Sequence, residues 1–457
     1  MPINSEEVKQ AVFSNKPVLK KTIQDNEGKT LAAYFEHMFV ESSFDYERRK
    51  DLIGVVANTC SELLGIETAE ALTASLENNY FASTADHHGF IGHPFFFNAD
   101  MCQSLAAMQR NQQAVLILSC GSIAMNNSSF PRGLLVHDEK LEERRLHFFS
   151  TKYRHVPVHA MSAYTKEQES RILKELNSID LAAAKKDLLK RVISEVCFST
   201  AVMEETSFSH QATIVNNALW KLIPGQEKVE FIQLEQEEIT RRLLLQFHFE
   251  TETLLWRLLF NPNFRKAFAR HFDGITGAFN TKSKRGSYMF WALREGKRIA
   301  LEYDGKHLVS TDGLLIIPFE AEVIERELKA KRLIPTMALS FIVLSFYYGL
   351  RCGGGFSQIN YLGEIKRAYM GLLAEMEELD ENKRVEPIDT EFFCGEFVMM
   401  EHKNKKAAFA LDMLLSDRTI IEKVISTAFH TKTLGASVEA MMPEFYKIIT
   451  GTYPSYV

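Results

Sequence analysis

Cysteine is scarce in this chain, and the cysteines that it has are scattered. The six residues are Cys60, Cys102, Cys120, Cys197, Cys352 and Cys394. They form no C-x-x-C pair and follow no regular spacing, which is typical of reduced thiols and argues against a disulfide-rich secreted scaffold. The first residues also lack the basic and apolar regions of a secretory signal peptide. We therefore expect a cytoplasmic protein.

An excess of positive charge is missing as well. The 457 residues include 53 lysines and arginines against 59 aspartates and glutamates, which gives a formal net charge of −6 at pH 7. This balance provides no global attraction to nucleic acids or to an anionic membrane surface. The partner that we expect is therefore a small-molecule substrate, with no nucleic acid and no membrane. The oligomeric state stays open, and a homo-oligomer is one option.

Long hydrophobic runs are almost absent. One uncharged stretch, residues 333–350 between Arg332 and Arg351, reaches the minimum length of a membrane span. It contains proline, serine, tyrosine and glycine, which are unfavourable or uncommon in such numbers within a span. The stretch therefore predicts a buried core helix that begins near Pro335 rather than a transmembrane helix.

Hydrophobic periodicity predicts a helix-rich α+β protein. Apolar residues at three-and-four spacing predict helices within 18–40 and 48–64. The run Ala114–Leu118 predicts a fully buried strand, and Val229–Leu234 predicts a further strand. Around residues 286–317 the pattern changes to that of a small antiparallel sheet. The expected architecture is a central mixed or partly parallel sheet, a smaller antiparallel sheet and two closely packed lobes.

The lobes are expected to divide near residue 160. Residues 1–160 would form a helical cap plus an α/β lobe that carries a histidine cluster. Residues 161–457 would form a helix-rich lobe that contains the small antiparallel sheet around 286–317. Within the first lobe, Asp100 is expected to cap a helix that runs to about Gln112, and 156–159 is expected to form a short strand.

Three histidines and an aspartate lie close together between Thr84 and Pro94. Because glycines and a proline interrupt this stretch, we expect a loop rather than a helix. Neutral imidazole is the commonest protein metal ligand, and it also titrates near neutral pH. The segment therefore predicts either a divalent metal site (Zn, Fe or Mn) or an acid/base centre with His87 and His88 as catalytic groups, with purely structural histidines as the alternative. The predicted metal ligands are Asp86, His87, His88 and His93.

A second polar segment follows directly after the predicted strand at 114–118. Ligands of layered α/β proteins collect beyond strand carboxyl ends, so this position favours binding. Cys120 is a candidate nucleophile and Arg132 a candidate anion-binding fork, although a buried inert thiol is the alternative for the cysteine. The candidate substrate-binding residues are Asn126, Asn127 and Ser128.

Three consecutive glycines, 353–355, follow the predicted buried helix. Such a run is conformationally costly, which favours a close approach to a ligand; a glycine-capped connection between helices is the alternative. The candidate substrate-binding residues beside these glycines are Tyr348, Gln358 and Tyr361.

These segments predict a cytoplasmic enzyme of small-molecule metabolism. Its His/Asp cluster would serve as a metal site or acid/base centre in a hydrolase-like or oxygenase-like reaction on a polar or anionic substrate. Two alternatives stay open: a metal-free transferase or ligase-like enzyme that binds an anionic donor at the 352–358 loop, and a non-enzymatic binding protein. The enzyme hypothesis requires His87 or His88 to share a pocket with Arg132 or Asn127.

Overall fold

A computed structural model describes residues 4–40, 45–395, 408–452 and 454. Within these residues helices predominate, which confirms the helix-rich α+β prediction. The α-helices are α1 (Ser5–Asn15), α2 (Pro17–Asn26), α3 (Leu31–Phe35), α4 (Tyr46–Leu64), α5 (Ile66–Asn78), α6 (Pro94–Gln109), α7 (Glu167–Ser178), α8 (Ala183–Arg191), α9 (Thr200–Glu204), α10 (Phe208–Leu222), α11 (Gln236–Phe247), α12 (Leu254–Phe260), α13 (Pro262–Phe272), α14 (Ala321–Lys329), α15 (Met337–Phe341), α16 (Gln358–Glu375), α17 (Leu379–Val385), α18 (Ala410–Leu414), α19 (Arg418–Thr431), α20 (Leu434–Glu439) and α21 (Met442–Thr450).

The strands form one parallel sheet and four small antiparallel sheets in the same residues. The strands are β1 (Phe81–Ser83), β2 (Ala114–Ser119), β3 (Gly133–His137), β4 (Glu143–His147), β5 (Glu230–Glu235), β6 (Phe279–Asn280), β7 (Arg285–Gly286), β8 (Phe290–Arg294), β9 (Lys297–Ile299), β10 (Leu301–Tyr303), β11 (His307–Ser310), β12 (Ile316–Pro318), β13 (Leu333–Pro335) and β14 (Arg351–Gly353). The parallel sheet has the order β14-β1-β2-β5, while β13-β8-β9 and β10-β11-β12 replace the one small sheet that the sequence predicts.

The parallel sheet is buried on both faces. Alternate side chains of a strand belong to different hydrophobic clusters. Val115 and Ile117 belong to one cluster, while Leu116, Leu118 and Ile232 belong to another. Successive side chains of a strand point to opposite faces, so the two clusters cover the two faces. Each cluster also combines residues from before and after residue 160, and the division into two lobes stays a prediction.

The chain leaves the sheet toward different faces after different strands. The helices α6 and α10, which follow β1 and β2, contribute Phe97 and Phe208 to the first cluster. The helix α11, which follows β5, contributes Ile239 and Leu243 to the second cluster. The connections therefore diverge between β2 and β5, and ligands of parallel α/β sheets bind at such a divergence, beyond the strand carboxyl ends.

Two local predictions are wrong. Asp100 does not cap a helix, because α6 begins earlier: Pro94 occupies its first position and the His93 ring accepts the Phe95 N–H at 3.4 Å. Asp100 is consequently buried in the middle of this helix. The segment 156–159 is not a strand, since Pro157 has no N–H for a ladder and the chain turns into a 3₁₀ helix at Val158–Ala160.

The uncharged stretch 333–350 begins with β13 and continues as a buried helix. The Thr336 hydroxyl accepts the Leu339 N–H at 3.3 Å and caps α15, which confirms a helix start next to Pro335. The helix then widens into π-helical geometry at Ile342–Tyr347. Across the described ranges, every helix is too short or too polar to cross a membrane.

Candidate functional site

Segments that follow three strands meet at the carboxyl edge of the parallel sheet. The Cys120 N–H donates to the Asp86 carbonyl at 2.9 Å, and the His88 N–H donates to the Cys120 carbonyl at 2.9 Å. The histidine loop after β1 and the polar loop after β2 therefore continue the parallel pairing beyond the strands. The first turn of α11, after β5, lies against the polar loop through Glu235 and Glu237.

Gly121 allows this close approach. A Cβ atom added there would lie 2.6 Å from both Cγ and Cδ of Glu235. The same stretch of backbone also binds Glu237, because the N–H groups of Gly121 and Ser122 each donate to its carboxylate at 2.9 Å. The loop after β2 and the start of α11 are thus fixed to each other where the connections diverge.

Cys120 faces Glu237, at an Sγ–Oε1 distance of 3.3 Å. Burial raises the pKa of the Cys120 thiol, and the Glu237 charge raises it further. Burial and the Glu235 charge likewise raise the pKa of Glu237. A thiolate is the reactive form of cysteine, so this setting favours the unreactive thiol and weakens the candidacy of Cys120 as a nucleophile.

His159 and Glu235 form a buried ion pair. His159 Nδ1 donates to one Glu235 carboxylate oxygen, and the Ser209 hydroxyl donates to the other at 2.8 Å. Burial alone would lower the pKa of His159, but the Glu235 charge and hydrogen bond outweigh it and raise that pKa. The imidazolium correspondingly lowers the pKa of the Glu235 carboxyl against the effect of burial. His159 Nε2 is buried and has no partner within the described part of the chain.

His88 supports this pair through Ser209. Its Nδ1 lies 2.6 Å from the Ser119 hydroxyl, and its Nε2 lies 3.0 Å from the Ser209 carbonyl. Burial lowers the pKa of His88, so the ring is neutral at pH 7. His88, a predicted catalytic residue, is therefore enclosed and contacts Ser209, whose hydroxyl donates to Glu235.

A small pocket opens beside the carboxyl end of β5. About 20 Å³ of it is free for molecules of water size, which is room for roughly one water. His210 Nδ1 lies 2.8 Å from Glu205 Oε2, and its Nε2 has no partner among the residues described. The residues of the wall that bear on chemistry are His159, Ser209, His210, Glu235 and Lys331.

His87 lies on the other side of the histidine loop, beside the predicted substrate-binding loop. Its Nδ1 is 3.1 Å from Asn127 Oδ1 and 3.2 Å from the Ser129 hydroxyl. Burial lowers the pKa of His87 to about 4, although the bond to Asn127 acts in the opposite direction. The rings of His87 and His93 both contact Phe96, at centroid distances of 5.2 and 5.4 Å. The expected contact between His87 and Asn127 is present.

Asp86 points into the protein core. Gln233 Nε2 donates to its Oδ2 at 3.3 Å, whereas its Oδ1 and both Asp100 carboxylate oxygens are buried without a hydrogen-bond partner among the described residues. Burial raises the pKa of both aspartates, and the charge of Asp86 contributes to the shift at Asp100. Both carboxyl groups therefore favour the protonated form more than exposed aspartates do.

The four predicted metal ligands have separate surroundings. Asp86 faces Gln233, His88 faces Ser119, and only His87 and His93 lie near each other. In the ranges that the structure describes, no three His, Cys, Asp or Glu side chains are grouped closely enough to hold a metal ion. This arrangement does not support the proposed metal centre, which stays a prediction.

The predicted substrate-binding residues are distributed over several surroundings. Tyr361 is near Cys120, since the thiol contributes to its raised pKa after burial. The Gln358 amide donates to Thr84, whereas Tyr348 is buried in the core with its hydroxyl 2.8 Å from His248. Asn126 and Ser128 are exposed at the tip of the loop after β2.

The three glycines are explained by packing between chain segments. A Cβ on Gly353 would collide with Cys394 and Phe81, and one on Gly355 would lie 3.3 Å from Ala85. The close approach that glycine permits is therefore an approach of the protein to itself. This arrangement favours the structural interpretation of the glycine run over an anionic-donor site.

Sequence reasoning missed the residues with the clearest chemistry. Glu235 and Glu237 had a usable signal, because they follow a predicted strand directly and begin a helix. His159 had none, since it lies 76 residues from Glu235 in the sequence. His210 likewise sits in an ordinary amphipathic helix, α10.

The raised pKa values of Asp86 and Asp100 predict a pH-dependent stability. Folded-state pKa values that exceed the unfolded ones stabilise the fold at low pH, and this stabilisation is lost as the pH rises above about 4. Asp100→Asn should reduce that loss by up to about 1.4 kcal/mol per pH unit. Urea unfolding between pH 4 and 8 measures it, with Asp380→Asn as an exposed control. An unchanged slope in Asp100→Asn would contradict the raised pKa of Asp100.

No protein-family model matches the chain, and no curated protein matches its sequence. A function for this chain therefore has to be inferred from the geometry of the site.

Proposed function

We propose that this protein is a hydrolase-like enzyme that uses two histidines, His159 and His210, as acid and base on a small anionic substrate. One observation carries the proposal: two imidazoles, each held at Nδ1 by a carboxylate, line the same pocket, and neither Nε2 has a partner among the residues that the structure describes. A carboxylate at Nδ1 fixes the ring orientation and leaves Nε2 for proton transfer.

The two histidines would have different roles. The Glu235 charge and hydrogen bond raise the pKa of His159 against the effect of burial, which favours the protonated ring and suits a general acid. His210 is partly exposed, with 27% of its side chain accessible, and its partner Glu205 is similarly exposed at 24%. A neutral imidazole nitrogen can accept a proton from a nucleophile. His210 is therefore assigned as the general base.

The reaction can be written as a direct hydrolysis. His210 Nε2 takes a proton from the water molecule that the pocket has room for, while the water oxygen bonds to the electrophilic atom of a substrate at the pocket mouth. The bond to the leaving group breaks, and His159 Nε2 supplies its proton to that group. Lys331, which also lines the pocket and lies 3.5 Å from Glu238 Oε2, would together with protonated His159 stabilise negative charge that develops on the substrate.

Chromogenic esters test this function. Purified protein should hydrolyse at least one of p-nitrophenyl acetate, p-nitrophenyl phosphate and bis-p-nitrophenyl phosphate with a bell-shaped pH profile. His159→Gln should lower the rate roughly 100-fold or more and remove the alkaline limb of the profile, because the proton donor is lost.

The matched control is His155→Gln, a substitution at an exposed histidine four positions before His159. It should keep the wild-type rate and profile. Wild-type protein that is no better than buffer on all three esters, or a fully active His159→Gln variant, would refute the acid/base assignment. The non-enzymatic binding protein would then be the better hypothesis.

A further inference from the structure

A second polar cluster lies at the strand pair β3-β4, apart from the histidine pocket. Arg132 precedes β3, and Arg145 lies on β4 opposite Leu135. Their guanidinium carbons are 5.4 and 4.9 Å from the centre of the Phe130 ring. His93 adjoins this group, since Arg145 and His87 both contribute to its lowered pKa after burial. We call these five residues the arginine–histidine cluster.

Arg132 carries a charge that no side chain in the described part of the chain compensates. Its Nε is buried without a hydrogen-bond partner, and it forms no ion pair with any residue that the structure describes. Arg145 has Glu143 at 2.6 Å, but that glutamate is itself 42% exposed. A half-buried guanidinium next to a second one is unfavourable unless an anion balances the charge.

The backbone around Phe130 holds this arrangement under strain. Phe130 has a φ of 54°, in the left-handed region that bulky residues avoid, and such residues concentrate at ligand sites. The following Pro131 is pressed against Gly89, where an added Cβ would lie 2.7 Å from the proline Cβ. The two loops are thus locked together beneath the arginines.

Two neutral polar residues, Asn127 and Ser129, contact His87 of the cluster. Asn127 Oδ1 accepts from the Ser129 N–H at 3.0 Å, from the Ser129 hydroxyl at 2.9 Å and from His87, so the Asn127 Nδ2 group remains a donor. Because His87 donates through Nδ1, its Nε2 is an acceptor. An amide donor close to two guanidinium groups suits an oxyanion.

We infer that the arginine–histidine cluster binds an oxyanion, the phosphate or carboxylate group of a small molecule. Arg132 supplies two parallel guanidinium N–H donors, Arg145 adds a second positive charge, and Asn127 donates through Nδ2 from the loop after β2. The site is distinct from the pocket of His159 and His210, and it does not depend on the proposed hydrolysis.

Inorganic phosphate and acetate serve as the two probes. Isothermal titration calorimetry at fixed ionic strength should give saturable binding of at least one of them, and the stronger probe identifies the group. Arg132→Gln should weaken that binding at least about 10-fold, as expected for the loss of a charge-assisted hydrogen bond. Arg132→Lys should keep part of the affinity, because it retains the charge without the fork.

Arg154→Gln is the control, since it removes the same charge from an exposed arginine whose carbonyl binds Asn126 on the same loop. It should bind the probe as the wild type does. Circular dichroism establishes that each variant is folded. Wild-type protein that binds neither probe saturably, or an Arg132→Gln variant with wild-type affinity, would overturn the inference whether or not the protein hydrolyses esters.

Discussion

Replacing Glu235 with alanine is expected to lower the free energy of unfolding by about 3–5 kcal/mol and to remove most catalytic activity. The carboxylate accepts from His159 and Ser209 in a buried setting. Removal of one partner of a buried ion pair costs this much because the other charge is left uncompensated. Glu235→Gln should cost less, since its amide keeps a hydrogen-bond acceptor.

A double-mutant cycle separates the pair from its surroundings. Glu235→Ala combined with His159→Ala should be less destabilised than the sum of the two single variants, because no unpaired charge then remains. Glu422→Ala is the matched surface control, since its partner Arg418 is 62% exposed, and it should change stability by less than about 1 kcal/mol. Additive single effects would show that Glu235 and His159 do not form a pair.

The same pair gives a pH signature. The lowered pKa of Glu235 stabilises the fold above its unfolded value near 4.5, and this contribution is lost as the pH falls. The raised pKa of His159 stabilises the fold below its unfolded value near 6.5, and this contribution is lost as the pH rises. The stabilisation by the pair is therefore largest between about pH 4.5 and 6.5, and Glu235→Ala should abolish that maximum.

The position of the site could be predicted from sequence, but its composition could not. The buried strand at 114–118 is visible as an apolar run and that at 229–234 as a segment rich in apolar residues, and the carboxyl ends of parallel strands share one edge. The histidine loop and the Cys120 loop therefore meet as expected. Their meeting follows from backbone pairing, which depends on strand order more than on individual side chains.

The directions in which the side chains point decide which of the predicted residues share a site. His87 and His88 are adjacent, and on an extended chain adjacent side chains point to opposite sides. His87 accordingly contacts Asn127, while His88 is buried against Ser119 and Ser209. Asp86 and His88, two of the residues proposed to share a metal, are thus held by different partners. No composition or spacing rule reveals which neighbour each ring meets.

The contact between Gly121 and Glu235 provides the sharpest test of the site geometry. Gly121→Ala would place a Cβ 2.6 Å from two carbons of Glu235, whose carboxylate His159 and Ser209 hold in place. The glutamate cannot move without breaking those bonds, so we expect a loss of about 1–3 kcal/mol in stability and at least a 10-fold loss of activity.

Gly54→Ala is the matched control. Gly54 lies within α4, and a Cβ added there would have no described atom within 4 Å, so this substitution should be stabilising by up to about 1 kcal/mol. Thermal unfolding and ester hydrolysis measure both variants, and a Gly121→Ala protein with wild-type stability and rate would mean that the polar loop and α11 are not fixed against each other.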